Sequence, residues 1–145
     1  MLELRKVSPF ETIMIIGIPK ETQPSEKRVA IAPDNIAAFA KLGYEVIIQK
    51  GAGEQANLAD SAFSDAGARI VEDASAVWNE SDLILKVTPP GMEEAEMIKE
   101  GATLISFVYP ARNEELLNKL GERKINLLAM DCVPRISRDR KSTRL

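Results

Sequence analysis

The sequence contains no histidine, one cysteine and no apolar run approaching the roughly 20 residues that cross a bilayer. Without histidine, the commonest general acid/base near neutral pH and the commonest neutral metal ligand are both missing. Chemistry is left to Lys, Arg, Asp, Glu, Tyr or a cofactor, and no metal site is expected. The single Cys132 excludes an internal disulfide and any multi-cysteine metal centre, and fits a reducing compartment. No excess of positive charge is present either: 19 Lys+Arg against 22 Asp+Glu give a net charge of −3, which argues against a general nucleic-acid binder. The opening MLELRKVSPFET carries charges in its first six residues and lacks an apolar centre, so it does not read as a secretory signal. Residues 1–12 read as an extra N-terminal tail, such as a start site placed too far upstream would produce.

What is present is a chain of 145 residues with 45% hydrophobic and 28% charged residues, enough for one soluble domain with a core. Short apolar runs alternate with helical spacing. Strands are expected over residues 13–18, 44–48, 68–71, 83–87, 103–108 and 125–130. Helices are expected over 33–43, 59–66, 74–80, 92–100 and 113–123, with a glycine closing the first at Gly43 and Asn113 as the N-cap of the last. This alternation is the signature of a mostly parallel sheet covered by helices, a three-layer Rossmann/flavodoxin-like α/β fold. In such folds ligands gather at the carboxyl ends of strands. Residues 13–138 would form that unit, and residues 139–145, within a stretch without apolar periodicity, a C-terminal tail.

Four features could carry chemistry. Gly51-Ala52-Gly53-Glu54-Gln55-Ala56 fits G-x-G-x-x-A with Glu72 some way beyond, but only a short helical segment follows it. A plain loop needing a positive φ is therefore the better reading. Lys86 is a lone charge inside Leu83-Ile84-Leu85-Lys86-Val87, and burying an ammonium without a partner is costly. Either it joins Arg28 at one sheet edge, where two cations would suit a carboxylate or phosphate, or it pairs with Glu21 or Glu26 and secures the loop. Arg28, where the loop rejoins apolar chain, is expected to be held against the strand ends. Tyr109 either lines the same cleft or is a core-edge residue with its hydroxyl in water. Arg135 and Arg138 follow the last strand, as anion or amide contacts or as a solvated basic end.

Ile16-Gly17-Ile18-Pro19-Lys20-Glu21, Glu26-Lys27-Arg28-Val29-Ala30 and Pro33 resemble the opening signature of the alanine dehydrogenase and proton-translocating NAD(P) transhydrogenase family. The resemblance continues through Lys41-Leu42-Gly43, Gly51-Ala52-Gly53, Lys86-Val87-Thr88-Pro89-Pro90 and Met130-Asp131-Cys132-Val133-Pro134-Arg135-Ile136-Ser137-Arg138. The runs Leu104 to Ala111 and Ala129 to Arg138 are more similar to the transhydrogenase α-subunit branch. This resemblance implies the first lobe of a two-lobed NAD(H)-binding component that passes a hydride between NAD(H) and NADP(H), coupled to proton translocation. It implies NAD(H) as cofactor, with Arg135, Ile136, Ser137 and Arg138 opening the loop that meets the nicotinamide and Arg135 orienting it. Arg28 and Lys86 match the pair that holds pyruvate in alanine dehydrogenases, where a catalytic histidine falls at the position of Tyr109.

The implied partners are a glycine-rich NAD lobe, NADP(H)-binding and membrane components and a second copy in a homodimer. The implied location is the cytoplasmic side of the inner membrane. After Arg138 the sequence departs from the family pattern and the glycine-rich lobe is missing, so the chain reads as a fragment or one piece of a split subunit, inactive alone. Two further readings are an alanine dehydrogenase-like oxidoreductase lobe, and a non-catalytic module for small anions or oligomerisation.

Overall fold

The computed structural model describes residues 12–134. Six strands form one sheet: β1 (Ile15–Ile18), β2 (Glu45–Gln49), β3 (Arg69–Val71), β4 (Leu83–Leu85), β5 (Thr103–Ser106) and β6 (Asn126–Ala129). Their order is β3-β2-β1-β4-β5-β6, and all five pairings are parallel. The helices are α1 (Pro33–Lys41), α2 (Asp60–Asp65), α3 (Ala74–Glu80), α4 (Met92–Met97) and α5 (Glu114–Glu122). The order reverses between β1 and β4, which makes their carboxyl ends the switch point where the two halves of the fold diverge.

The strands read as unbroken apolar runs because both faces of the sheet centre are covered. Successive side chains point to opposite faces. Ile16, Ile18, Val46 and Ile48 pack with Ile36 of α1 and Phe63 of α2. Ile84 and Leu104 pack on the other face with Trp78 of α3, Ala95 of α4, and Leu116 and Leu120 of α5. Gly17 belongs to that second face. A Cβ there would lie 1.9 Å from Ser81 Oγ and 3.0 Å from Val77 Cγ1, so only glycine lets the end of α3 settle on β1.

The helix ends follow local chemistry. Pro33 starts α1 with its fixed φ, and Gly43 follows the helix at φ +90°, the left-handed turn expected of a closing glycine. Asp73 caps α3 by accepting the Ser75 amide at 2.9 Å. Asn113 precedes α5 but makes no side-chain cap bond. Its amide donates instead to the Val108 carbonyl at 2.6 Å, which ties the start of α5 back to the chain leaving β5. Several elements are shorter than their apolar patterns: β4 stops at Leu85, α4 at Met97 and β5 at Ser106. Beyond β4 and β5 the two chains stay tied by the Lys86 amide to the Ile105 carbonyl at 3.0 Å and the Phe107 amide to the Val87 carbonyl at 3.2 Å, and then make the loop contacts described next.

Candidate functional site at the carboxyl edge

The loop leaving β1, residues 19–32, carries Glu21, Glu26 and Arg28. The loop leaving β4 begins at Lys86. Because β1 and β4 are neighbours, paired Ile16 to Leu83 and Gly17 to Ile84, these loops meet at the switch point. Lys86 is fully buried through its side chain, and its Nζ donates to Glu21 Oε2 at 2.8 Å and to Thr88 Oγ1 at 3.1 Å. Glu94 Oε2 lies farther away at 4.0 Å. Of the two acids weighed for Lys86, the structure selects Glu21.

Glu21 receives more than the ammonium. Its Oε1 accepts the Val87 amide at 2.6 Å, and its Oε2 accepts the Thr88 amide at 3.2 Å and the Thr88 hydroxyl. The carboxylate is therefore held by one cation, two backbone amides and a hydroxyl, and its side chain is only 4% exposed. A buried ion pair is tolerable only when its remaining hydrogen-bonding capacity is met in this way.

Arg28 is arranged differently from the expectation. Its side chain is 69% exposed rather than packed on the strand ends. The guanidinium donates from Nε and Nη2 to the two carboxylate oxygens of Glu26, each at 2.8 Å, a bidentate fork within one loop. That hydrogen bonding holds the Glu26 carboxyl down at about 2 from its usual 4.5, against the opposing effect of burial. It also raises the Arg28 pKa, with the fields of Tyr109 and Glu21 adding to the effect. Arg28, Glu21, Lys86 and Tyr109 thus gather at one sheet edge, with Arg28 outermost and Lys86 innermost.

Tyr109 follows β5 with φ +50°, is half exposed, and stacks on Phe107 with ring centroids 6.3 Å apart. Its left-handed backbone is secured from the short 3₁₀ turn after β6, Met130–Cys132: Asp131 accepts the Val108 amide at 2.8 Å and the Tyr109 amide at 3.0 Å. The Val108 amide is the main cause of the lowered Asp131 pKa. Asp131 therefore clasps the chain leaving β5 to the chain leaving β6. Sequence reading missed this clasp, because nothing in Met130-Asp131-Cys132 signals a bond to a residue 23 positions earlier. Arg135, Ile136, Ser137 and Arg138 lie outside the described residues.

Next to this cluster an open cavity of about 480 Å³ is bounded by Thr22 and Gln23 from the loop after β1, Pro89 to Met92 from the loop after β4, and Arg112, Asn113, Glu115 and Leu116. Lys86, Arg28 and Tyr109 are not part of its lining. The glycine loop at residues 51–53 closes on itself. Gly51 has φ +73° and donates its amide to Asp60 Oδ1 at 2.9 Å, and a Cβ on Gly53 would meet the Leu58 carbonyl at 2.6 Å. Only the short 3₁₀ turn Glu54–Ala56 follows, and Glu72 pairs with Lys50 at 2.7 Å in the open. The loop is a packed turn, as its short following helix indicated. Among the described residues no group of three or more His, Cys, Asp and Glu could hold a metal ion, and no helix is long and apolar enough to cross a membrane.

An all-parallel sheet in this strand order, with loops converging at the β1/β4 switch point, defines a doubly wound α/β protein of the Rossmann-like class. The profile of the family described as "Alanine dehydrogenase/PNT, N-terminal domain" matches residues 17–145, and the chain belongs to that family. It is 48% identical over 125 residues to the NAD(P) transhydrogenase subunit alpha of Haemophilus influenzae, covering 86% of this chain and 24% of that one. It is 38% identical over 120 residues to an alanine dehydrogenase of Staphylococcus saprophyticus, covering 83% and 32%. The crystal structure of transhydrogenase from Sinorhizobium meliloti superposes with a TM-score of 0.79 at 33% identity, covering 86% of this chain and 37% of that one. The chain thus spans about a quarter to a third of the length of these relatives.

Proposed function

We propose that this chain supplies the first α/β lobe of the NAD(H)-binding component of a proton-translocating NAD(P) transhydrogenase, with residues 13–138 as the lobe. In that role it forms one wall of a cleft in which NAD(H) passes a hydride to or from NADP(H). The observation that carries the choice within the family is Tyr109. It stands half exposed at the carboxyl edge of β5, where the alanine dehydrogenase branch is expected to place a catalytic histidine, and the chain has no histidine at all. Amino-acid oxidation needs a group to take up and return protons. Hydride transfer between two nicotinamides needs the rings held in register, and a chain without histidine can do that.

In this reading Arg135 orients the nicotinamide, with Ile136, Ser137 and Arg138 continuing the contact. The Asp131 clasp supports it by anchoring the chain just ahead of that segment to the loop after β5. Arg28 and Tyr109 face the cleft, and Lys86 stiffens its floor through Glu21. The nucleotide's remaining contacts come from a second, glycine-rich lobe, and the partners are that lobe, the NADP(H)-binding and membrane components, and a second copy in a dimer. Assembly with them places the chain on the cytoplasmic side of the inner membrane.

The test is NADH titration by calorimetry of the chain alone and of the chain joined to the remainder of a transhydrogenase. The expected result is no micromolar binding alone, and NADPH-dependent reduction of NAD in the assembly that Arg135→Ala lowers at least tenfold. Micromolar NADH binding by the isolated chain would remove the need for a second lobe. Ammonia-dependent reduction of pyruvate by the assembly would move the chain to the alanine dehydrogenase branch.

A further inference from the structure

The two faces of the sheet are covered unequally. Core residues of α1 and α2 pack on one face over β1 and β2, and those of α3, α4 and α5 on the other face over β4 and β5. Leu85 is paired with Ile105 and Ile105 with Leu128, so the three side chains share a face, the one that also carries Ile16 and Leu83. Leu83 and Leu85 touch the first core at its margin, whereas Ile105, Phe107 and Leu128 belong to neither core. Leu128 is 54% exposed. Among the described residues, no helix contributes a core residue over this face at β5 and β6. The strands β4, β5 and β6 hold no charged residue. An apolar sheet face of this kind is stable only when another layer covers it.

The occupant must be small. Three strands about 4.8 Å apart and about 13 Å long present roughly 200 Å², far less than the about 800 Å² each partner gives to a stable dimer. Two segments of the chain border the sheet outside the described residues. Residues 135–145 follow β6 but carry five basic residues against two apolar ones, Ile136 and Leu145, a poor match for an uncharged apolar face. Residues 1–11 carry Leu2, Leu4, Val7 and Phe10. They lead into β1 through Ile13 and Met14, which are themselves 51% and 47% exposed. The Met14 carbonyl accepts the Glu45 amide at 3.1 Å, so the segment starts from a fixed point at the amino end of the sheet, beside β4. From there β6 is about 15 Å away across three strand spacings, and the segment, extended, reaches about 36 Å. We infer that residues 2–10 fold back across the open face of β4, β5 and β6, with Leu2, Leu4, Val7 and Phe10 against Leu85, Ile105 and Leu128. The segment supplies on this half of the sheet the layer that α1 and α2 supply on the other. This inference concerns contacts within the chain and stands apart from the proposed transhydrogenase role.

The experiment is a double-mutant cycle on the full chain, read by proteolysis and by urea. Leu128→Asp puts a charge on the open face of an edge strand. The segment variant combines Leu2→Ser, Leu4→Ser, Val7→Ser and Phe10→Ser. Trypsin cleavage after Arg5 and Lys6 is followed by mass spectrometry, while the fluorescence of the buried Trp78, the single tryptophan, reports that the domain stays folded. Cleavage should be about tenfold faster in Leu128→Asp and in the segment variant than in the wild type, because protection there depends on the seated segment. In urea, Leu128→Asp should lower the folded-to-unfolded ratio about tenfold in the wild-type background and leave it unchanged in the segment variant. If the segment variant does not fold, Phe10→Ser alone takes its place, and a smaller cost of Leu128→Asp in that background supports the inference. Equal cleavage in the wild type and Leu128→Asp, or an equal cost of Leu128→Asp in both backgrounds, would overturn it. A concentration-dependent dimer in sedimentation that Leu128→Asp abolishes and the segment variant keeps would give the face to a second copy, and would overturn it too.

Discussion

Replacing Gly17 by alanine tests how tightly the two halves of the sheet are joined. The added methyl carbon would sit 1.9 Å from Ser81 Oγ and 2.8 Å from Ser81 Cβ, against contacts of about 3.5–4 Å for carbon atoms at rest. Ser81 is fully buried, and its hydroxyl donates to the Val77 carbonyl at 2.6 Å, so it has no open side into which to turn. Relief requires the end of α3 to lift from β1. Overpacking of a filled core costs about 1–3 kcal/mol, and loss of the Ser81 bond adds about 0.5–1.5 kcal/mol. G17A should therefore lose about 2–4 kcal/mol, read as a lower urea midpoint with an unchanged slope. Ser81→Gly removes the two nearest clashing atoms and leaves Val77 Cγ1 at 3.0 Å. Combined with G17A it should return most of the loss, so the two substitutions should be strongly non-additive. Additive losses in the double variant would show that α3 does not rest on Gly17 as described.

The remaining predictions concern the cleft. Glu26 and Asp131 have folded pKa values below their ordinary 4.5 and 3.8, so each contributes stability that is fully present above that ordinary value and lost as pH falls toward the folded one. Urea midpoints should hold between about pH 7 and 5 and fall below that, with a shallower acid limb in Glu26→Gln and Asp131→Asn; an acid limb unchanged in both variants would refute the assignment. Tyr109→Val, which forces a β-branched residue into φ +50°, should cost about 1–3 kcal/mol, whereas Tyr109→Asn should cost clearly less. Equal losses in urea would show that the side-chain stack, not the backbone, sets the requirement.

Much of the architecture was legible because each strand is an apolar run bounded by Gly, Pro or charge, and the helical spacing between them points to a mostly parallel sheet, in which all five pairings are parallel. Lys86 could be singled out as a buried cation in want of a partner, since desolvation makes an unpaired ammonium untenable. Choosing between Glu21 and Glu26 was beyond local reasoning: both lie on the same loop, and the choice depends on how that loop folds over β4. Arg28 was expected against the strands, but a carboxylate two residues away offered its guanidinium a planar fork in solvent. Asn113 looked like a cap, yet its amide found the Val108 carbonyl, a contact set by the turn after β5. Asp131 gave no signal at all, because its two bonds exist only once β5 and β6 lie side by side.

The β1–β4 pairing has a kinetic consequence. Ile16 lies beside Leu83, so the central seam closes across about half of the chain, whereas every other strand pair joins sequence neighbours across one crossover. Loop-closure entropy grows with that separation, and contacts of high sequence distance slow folding. Each half-sheet can gather locally, and the seam between them closes late. Glu21, which spans that seam, should act chiefly as a brake on unfolding: its loss would shorten the lifetime of the native state more than it delays its formation.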